Sequence, residues 1–313
     1  MTSTSVAVVI PAYRVAPRVA DVIAQIPPEV RHIIVVNDAS PDGLSDTLAR
    51  ISDPRLVVLT HAENRGVGGA MKTGIRHALG LGAEIVVKID GDGQMAPALL
   101  PAFLEPLLAR RADMTKGNRF DDLSYIRDMP VVRRLGNLAL SFLVKAASGY
   151  WHLFDPCNGY LALRATLLSR LDLDRLDDRY FFEISLLCEA YHRQAVLEDV
   201  PMRPVYAGEP SSLSPLGSIS NFVPRLIQRT ARRVALQYFM RDFSVVSVFV
   251  VAGLPSLLFG VAWSAWHWMQ SIRTHVTAST GTVVIGLLAI TLGFQLLLQA
   301  VVLDVSNQPG RHR

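Results

Sequence analysis

The first half of the chain carries short, uninterrupted runs of apolar residues, each followed by polar or turn-forming positions. Runs of this kind predict strands that are buried on both faces of a sheet. Six strands are predicted, at residues 6–10, 32–36, 56–59, 85–89, 160–163 and 196–200. Helical patterns end at about residue 26 or cover about 67–81, 135–147 and 181–191. Repeated strand–helix units predict a parallel α/β sheet that binds ligands at the carboxyl ends of its strands.

The last quarter of the chain has a different pattern, with two long runs that contain no charged residue, 243–272 and 276–303. About 20 apolar residues are enough to cross a bilayer as a helix. We therefore expect two transmembrane helices, at about 243–269 and 279–303. The alternative is a pair of buried core helices in a soluble protein, but such helices rarely stay uncharged for so long.

The segment just before these runs, 217–242, has the pattern of an amphipathic helix. Four of its arginines share one helical face: Arg225, Arg229, Arg232 and Arg233. A basic face directly before a transmembrane helix indicates a helix that lies on the bilayer, with its arginines toward lipid phosphates. A solvated charged face is the alternative. We expect a catalytic domain at 1–216, this interfacial helix, and two spans with a short tail at 243–313.

Composition and charge indicate how these parts are oriented. The chain is 50% hydrophobic, with a mean hydropathy of +0.29 and a net charge of +4. Arginines gather before the first span and after the second, whereas the connecting segment holds only Arg273 and His275. The positive-inside rule then predicts a multi-pass protein of the inner membrane whose catalytic domain is cytoplasmic. This distribution fits an anionic membrane as partner, and nucleic acid is not expected.

Two further features of the sequence agree with a cytoplasmic domain. Cys157 and Cys188 form no disulfide framework, as in proteins of a reducing compartment. The first residues lack the long apolar stretch of a signal peptide. The oligomeric state is not fixed by the sequence, and a homo-oligomer is left open.

The clearest chemical motif is Asp90-Gly91-Asp92, which follows the predicted strand at 85–89. Two carboxylates two positions apart at a strand end can reach one hard cation. A nucleoside diphosphate needs such a cation to neutralise its oxygens. An ordinary Asp-Gly turn is the alternative. An EF-hand calcium loop is excluded, because Met95 and Pro101 stand where Gly and Glu are required.

Two other segments fall at the same predicted edge of the sheet. Asn37-Asp38 ends the second strand, where a carboxylate can accept hydrogen bonds from a base or ribose. A simple turn explains this pair equally well. The glycine-rich segment 64–70 is not a Walker A loop, because Met71 stands where a glycine should precede Lys72. We expect its glycines to permit close packing and the approach of the backbone to a ligand.

Six segments, taken in order, resemble the successive motifs of family 2 glycosyltransferases. They are Ile10-Pro11-Ala12-Tyr13, Val36-Asn37-Asp38, Asn64-Arg65-Gly66-Val67-Gly68, Ile89-Asp90-Gly91-Asp92-Gly93-Gln94, Gly117-Asn118-Arg119-Phe120 and Asp155-Pro156-Cys157-Asn158-Gly159-Tyr160. The pattern is most similar to the branch of polyprenyl-phosphate sugar transferases, such as dolichyl-phosphate mannose synthases and bactoprenol glucosyltransferases. The resemblance covers about residues 6–212. It implies a GT-A fold, an α/β domain with a Rossmann-like mixed sheet.

The resemblance also implies a role for each matching residue. Three residues would hold the nucleoside: Pro11, Tyr13 and Asp38. Three would bind Mg²⁺ or Mn²⁺, or the residues around it: Asp90, Asp92 and Gln94. Arg119 would contact the donor or acceptor phosphate, and Arg134 the lipid phosphate. Asp155 lies where such enzymes place an acidic residue near the acceptor.

The expected function is therefore inverting transfer of a sugar from a UDP- or GDP-sugar to a polyprenyl phosphate. Asp92 and Asp155 are the residues expected to act in catalysis. Whether Asp155 is a general base or a positioning residue is left open. Two alternatives remain. One is an enzyme that extends a lipid-linked glycan at a sugar hydroxyl, and the other is a non-catalytic membrane protein that binds nucleotide sugars or scaffolds a complex.

Overall fold

The computed structural model describes residues 4–119, 131–202 and 215–310. The chain forms two compact units, of which the first reaches Thr230 and the second begins at Ala231. The boundary between them lies inside a helix that runs from Pro215 to Ala235.

The first unit is built on a seven-stranded sheet. Its strands are β1 (Val6–Ala12), β2 (His32–Asn37), β3 (Leu56–Thr60), β4 (Ile85–Lys88), β5 (Met114–Asn118), β6 (Leu161–Arg164) and β7 (Leu197–Pro201). Six of the seven lie within two residues of the apolar runs that predict them. The exception is β5, whose sequence of Met-Thr-Lys-Gly-Asn is not an apolar run.

The strand order is β3-β2-β1-β4-β6-β5-β7. The first four strands are mutually parallel, which confirms the strand–helix pattern of the N-terminal part. Strand β6 is antiparallel to both of its neighbours, β4 and β5. Strands β5 and β7 are parallel to each other, so they point the same way as β4. The sheet is therefore mixed, as the family resemblance implies.

Helices cover both faces of this sheet. They are α1 (Val19–Ala24), α2 (Leu44–Ala49), α3 (Gly66–Gly80), α4 (Leu100–Leu108), α5 (Val131–Ser148), α6 (Ala165–Leu168) and α7 (Phe182–His192). Alternate residues of β1 enter opposite core layers, as expected for a strand buried on both faces. Val9 packs in one layer with Met71 of α3 and Leu186 of α7. Val8 packs in the other with Ile23 of α1 and Phe103 of α4.

The glycines of α3 bring this helix close to its neighbours. A side chain at Gly74 would overlap Val9 and Val36 of the sheet. One at Gly68 would overlap the carbonyl of Asp177. The prediction that the glycines of segment 64–70 permit close packing is confirmed at Gly68, and their approach to a ligand stays a prediction.

The helix at the unit boundary, α8 (Pro215–Ala235), carries two of the predicted arginines within the first unit. Arg225 pairs with Asp177 at 3.2 Å, and Arg229 lies 3.7 Å from Glu189. Both guanidinium groups therefore have carboxylates of the protein as partners. Arg225 keeps 55% of its side chain exposed, so it can still reach an anion in solution or at a membrane.

The second unit contains a π-helical turn (Leu236–Arg241) and two long helices, α9 (Val245–Thr274) and α10 (Thr280–Ser306). Both helices are long and apolar enough to cross a membrane. Most of their residues are exposed, unlike the residues of helices in a soluble core. This exposure argues against the alternative of two buried core helices and leaves α9 and α10 as candidate membrane spans.

Helices α9 and α10 pack as an antiparallel hairpin with glycines at the contact. An added Cβ at Gly253 would meet Leu296, and one at Gly260 would meet Ile290. Residues early in α9 thus lie beside residues late in α10. Small residues permit such close approach between membrane helices. The start of α9 and the end of α10 therefore lie at the same end of the hairpin.

A buried ion pair lies at that end. Arg233 donates from Nη1 and Nη2 to the two carboxylate oxygens of Asp304, at 2.7 and 2.8 Å. The Tyr238 hydroxyl donates to Oδ1 of Asp304 at 2.5 Å. The prediction that this face of arginines points to lipid phosphates is wrong for Arg233, which is only 3% exposed. A buried guanidinium needs a paired carboxylate, and helical spacing could not reveal one that lies 71 positions away.

Candidate functional site

The motif residues of the first unit meet at one edge of the sheet. Strands β1, β2, β4 and β5 all point toward this edge, and β6 starts from it. Tyr13, Asp38, Asp90 and Arg119 follow these four strands, and Asp155 lies in the segment that leads into β6. In open α/β sheets this is where ligands bind.

Asp38 is buried at this edge and serves as an acceptor for the start of α3. Its Oδ1 accepts from the backbone N–H of Arg65 at 2.9 Å, and its Oδ2 from that of Gly66 at 2.7 Å. His61 lies 2.6 Å from Oδ1. A carboxylate at a helix N-terminus accepts hydrogen bonds from the free N–H groups there, and its negative charge interacts favourably with the helix dipole. Both carboxylate oxygens of Asp38 therefore already accept hydrogen bonds from the protein. The nucleoside contact implied for Asp38 stays a prediction.

The loops after β1 and β2 are bonded to each other beside Asp38. The Ser40 hydroxyl accepts from the backbone N–H of Arg14 at 2.7 Å, and Asp42 accepts from that of Ala16 at 2.9 Å. Ser40 in turn donates to Asp42 at 2.6 Å. Pro11, within β1, is half-buried, and Tyr13, in the loop after β1, is 41% exposed. A rigid loop with an exposed aromatic ring can offer a planar base a stacking surface.

The Asp90-Gly91-Asp92 turn follows β4. The two aspartates are half-buried, whereas Gln94 is exposed. Oδ1 of Asp92 accepts from the backbone N–H of Gln94 at 3.0 Å, as in an Asp-initiated turn. Arg18 donates to the backbone carbonyl of Asp92 at 3.1 Å. Among the residues that the structure describes, no group of three or more His, Cys, Asp or Glu side chains is placed to hold a metal.

Asp90 has a partner that the sequence motifs did not reveal, the buried Lys88 at the end of β4. The ammonium of Lys88 donates to Oδ1 of Asp90 at 2.6 Å and lies 3.3 Å from Oε1 of Glu183 on α7. Burial alone would lower the pKa of Lys88, but the two carboxylates outweigh it and raise the pKa above its ordinary value. Two carboxylates within reach of its Nζ therefore favour the ammonium form of Lys88. The sequence did contain a signal for this residue, because Lys88 is a charged residue inside the apolar run 85–89.

Arg119 and Asp155 form an ion pair at the other side of the same edge. Nε of Arg119 donates to Oδ2 of Asp155 at 2.6 Å, and Nη2 donates to Oδ1 at 3.1 Å. The Asn158 side chain also donates to Oδ2, at 3.2 Å. Asp155 is 2% exposed, whereas Arg119 is 41% exposed, so only the arginine presents its surface to an incoming ligand.

Arg134 lies on α5, but its side chain is outside the described residues. The predicted contact with a lipid phosphate therefore stays a prediction. Its sequence neighbours Asp121, Asp122 and Asp128, which are the alternative partners for its charge, are also outside the described residues. Cys157 and Cys188 are free thiols, as predicted.

A mixed α/β sheet with a paired carboxylate turn after one inner strand, and an arginine–carboxylate pair beside it, has the arrangement of a GT-A glycosyltransferase. The family model described as Glycosyl transferase family 2 matches residues 7–172 of the 313. This match spans more than half of the chain, which belongs to that family.

Similar proteins agree with the family and with the fold. The chain is 26% identical to the UDP-N-acetylglucosamine–dolichyl-phosphate N-acetylglucosaminyltransferase of Methanococcus voltae, over 66% of this chain and 88% of that protein. It is 32% identical to the undecaprenyl-phosphate mannosyltransferase of Micrococcus luteus, over 54% of this chain and 70% of that protein. The structure of glucosyl-3-phosphoglycerate synthase from Mycobacterium tuberculosis in complex with phosphoglyceric acid is similar, with a TM-score of 0.55 and 22% identity. That similarity covers 73% of this chain and 80% of that chain, and it concerns the fold alone.

Proposed function

We propose that this glycosyltransferase moves a sugar from a nucleotide-sugar donor to a polyprenyl phosphate at the cytoplasmic face of a membrane. The observation that carries the proposal is the placement of the family's motif residues at one sheet edge in a chain that also has two membrane-length helices. The names of the relatives in Methanococcus voltae and Micrococcus luteus support a lipid phosphate as acceptor. A long prenyl chain requires an enzyme that works at a membrane, and α9 and α10 would supply the anchor.

The donor would bind across the ends of β1, β2 and β4. We assign the base to the exposed ring of Tyr13 and the neighbouring Pro11, with Asp38 holding the start of α3 beneath them. Asp90 and Asp92 would lie beside the diphosphate. UDP- and GDP-sugars both fit this assignment.

A divalent metal, Mg²⁺ or Mn²⁺, is part of the proposal. Asp90 and Asp92 fit it, because Mg²⁺ in such sites is held by one or two carboxylates and otherwise by water and substrate phosphates. When bound, the metal would neutralise charge on the departing diphosphate. Gln94 is exposed next to this pair and would contact the metal's surroundings.

The acceptor needs orientation more than activation. A phosphate monoester has a second pKa of about 6, so its oxygen is largely ionised at neutral pH and can attack the anomeric carbon directly. The attack would be in line and would invert the configuration. Arg119 presents its guanidinium to the phosphate, and Asp155 holds the guanidinium in place. Arg134 would supply a second positive charge for the same phosphate.

The rival acceptor, a sugar hydroxyl, would need a general base. Asp155 would have to serve, but its two oxygens already accept hydrogen bonds from Arg119, and the ion pair favours the positioning role. A non-catalytic role is opposed by the presence of both the acidic pair and the arginine. The proposed orientation is supported by the arginines that flank the two long helices, from which the positive-inside rule predicts a cytoplasmic first unit.

The test is an assay with the purified full-length chain in detergent or nanodiscs. Undecaprenyl phosphate is offered with Mg²⁺ or Mn²⁺ and a panel of UDP-, GDP- and dTDP-sugars, and the lipid products are identified by mass. A sugar linked to the bare lipid phosphate supports the proposal. Transfer only to a lipid that already carries a sugar would assign the chain to glycan extension. Binding of a nucleotide sugar without any transfer would assign it to the non-catalytic class.

A further inference from the structure

Lys88 is a lysine with almost no contact with solvent. It is the last residue of β4, near the centre of the sheet, and it is 1% exposed. Burying an ammonium costs several kcal/mol unless its charge is paired and its N–H groups are bonded. An apolar side chain would satisfy the core at this position without that cost, so the charge at this place calls for an explanation in terms of function.

The Lys88 ammonium is bonded to three separate elements. It donates to Oδ1 of Asp90 at 2.6 Å, to the backbone carbonyl of Gly159 at 3.2 Å, and it lies 3.3 Å from Oε1 of Glu183. An ammonium has three N–H groups, and these three partners account for all of them. Lys88 therefore connects the acidic turn after β4, the segment before β6, and helix α7.

Gly159 leaves space for the contact between Lys88 and Asp90, because it has no Cβ. A Cβ at that position would lie 2.7 Å from Nζ of Lys88 and 3.0 Å from Oδ2 of Asp90. The first distance is shorter than real Cβ contacts and the second is tighter than most of them, so a larger residue would displace the ammonium and crowd the carboxylate. The need for room beside Lys88 and Asp90 accounts for glycine at this position.

A second buried lysine holds the next carbonyl of the same segment. Lys116 on β5 donates to the backbone carbonyl of Asn158. Lys88 and Lys116 both pair in register with Leu161, so they flank it on the two neighbouring strands. Burial lowers the pKa of Lys116, although Glu183 and Asp155 act in the opposite direction. The carbonyls of residues 158 and 159 are thus fixed by one lysine each.

This segment carries Asp155 at its start, which in turn orients Arg119. Asn158 adds a bond from its side chain to Asp155 at 3.2 Å. A continuous set of contacts therefore runs from Asp90 through Lys88 and the 158–159 backbone to Asp155. The two ends of this set are the carboxylate assigned to the donor and the ion pair assigned to the acceptor.

We propose that Lys88 is a positioning residue that sets the Asp90 carboxylate relative to the Asp155–Arg119 pair, and that Glu183 holds Lys88 in place. This inference rests on the proposed function. In this role Lys88 contacts neither the donor nor the acceptor. Its effect is to fix the distance between the donor half and the acceptor half of the site, on which in-line attack depends.

The test compares three variants of the full-length chain. Lys88→Met removes the ammonium and keeps an unbranched side chain that is one atom shorter. Glu183→Gln removes the charge behind Lys88 and leaves the lysine in place. Lys72→Met is the matched control, because Lys72 is also buried and also bonded to a carboxylate and a backbone carbonyl, those of Asp178 and Leu176. Lys72 has no contact with Asp90 among the described residues.

Two readouts are measured for each variant. The first is the affinity for UDP and for GDP with Mn²⁺, by calorimetry, which needs no turnover. The second is kcat/KM for the donor, with melting temperatures recorded beside it. We expect Lys88→Met to weaken nucleotide–Mn²⁺ binding at least tenfold and to lower kcat/KM about 100-fold. Glu183→Gln should shift both in the same direction by about threefold to tenfold, and Lys72→Met should change neither more than twofold.

The outcomes separate this inference from the proposed function. A wild-type chain that transfers no sugar to a lipid phosphate overturns the function, and the nucleotide-binding arm still decides the role of Lys88. If the wild type is active without metal, the metal is not part of the mechanism. The affinity for UDP or GDP without Mn²⁺ then becomes the binding readout. Unchanged binding in Lys88→Met overturns the inference, as does an equal loss in Lys72→Met. If Lys88→Met does not fold, unchanged binding and turnover in Glu183→Gln overturn it.

Discussion

Arg119 and Asp155 meet as a two-point ion pair in which the carboxylate is buried and the guanidinium is partly exposed. The pair leaves Asp155 little freedom to accept a proton from a substrate. It also gives Arg119 a fixed plane, which suits the recognition of a phosphate by two N–H groups at once. This geometry favours the positioning role of Asp155 over the general-base role, the two roles that the sequence left open.

The first prediction concerns this pair. Asp155→Asn should lower kcat/KM for polyprenyl phosphate about 10- to 100-fold, which is the loss expected from one or two charge-assisted hydrogen bonds. Arg119→Lys should cause a similar loss, because a single ammonium cannot bridge both carboxylate oxygens. Steady-state kinetics over a range of pH is the measurement. A general base would instead give a far larger loss in Asp155→Asn, together with the disappearance of the acidic limb of the pH profile.

The second prediction concerns the acidic turn. Asp92→Asn should lower turnover at least ~100-fold, because a charged ligand for the metal is replaced by a neutral one. EDTA should abolish the activity of the wild-type chain, and added Mg²⁺ or Mn²⁺ should restore it. The control is Asp172→Asn, at an exposed aspartate paired with Arg175, which should leave turnover unchanged. Full activity in EDTA would end the assignment of a metal to Asp90 and Asp92.

The third prediction concerns Arg134. Arg134→Ala should raise KM for polyprenyl phosphate strongly and leave the affinity for the nucleotide sugar nearly unchanged. Arg134→Lys should recover only part of the loss, since a point charge lacks the planar fork. Kinetics with each substrate varied in turn decides the matter. An exposed salt-bridge role would predict almost no effect, because such pairs contribute about 0–1 kcal/mol.

The fourth prediction concerns Asp199, whose pKa is raised by burial against the opposing effects of a bond from the Phe154 N–H and the nearby charges of His152 and Lys116. Its Oδ1 has no hydrogen-bond partner among the described residues. A carboxyl with a raised pKa in the folded state favours folding while it is protonated. That contribution is lost as the pH rises from the ordinary pKa of aspartate through the raised one.

Asp199→Asn should therefore stabilise the protein at pH 7 by about 1 kcal/mol, since the amide oxygen can still accept from the Phe154 N–H and no charge is buried. The melting temperature of the full chain should rise by roughly 2–4 °C. The difference from wild type should shrink as the pH falls toward 4. A variant that melts below the wild type at pH 7 would show that the charge of Asp199 is net stabilising, through Lys116 or His152.

Much of the fold could be predicted from the sequence because the relevant pattern is local. Strands buried on both faces must be continuous apolar runs, and membrane-length helices must lack charges, so both are visible without tertiary information. Strand β5 could not be found in this way, because Lys116 and Gly117 interrupt its pattern. Lys116 is accommodated there by partners from distant segments, among them the backbone carbonyl of Asn158, which accepts its hydrogen bond.

The sequence predicted which residues meet at the sheet edge better than it predicted which side chains pair there. The motifs identified Asp90, Arg119 and Asp155, but their spacing contains nothing about which side chains pair. Lys88 and Glu183 lie 95 positions apart and meet only because α7 packs against the end of β4. The same limit explains the error at Arg233, where a local helical face indicated lipid and the folded chain supplied a carboxylate.

The pair of Arg233 and Asp304 also has a consequence for the order in which the chain is made. Arg233 leaves the ribosome well before Asp304, and in the finished structure it is buried against that carboxylate. Until α10 has been synthesised, Arg233 therefore lacks the carboxylate against which it is buried. The hairpin of α9 and α10 is therefore closed by a residue that is translated 71 positions after Arg233, and a chain that stops short of Asp304 would lack the charge that secures it.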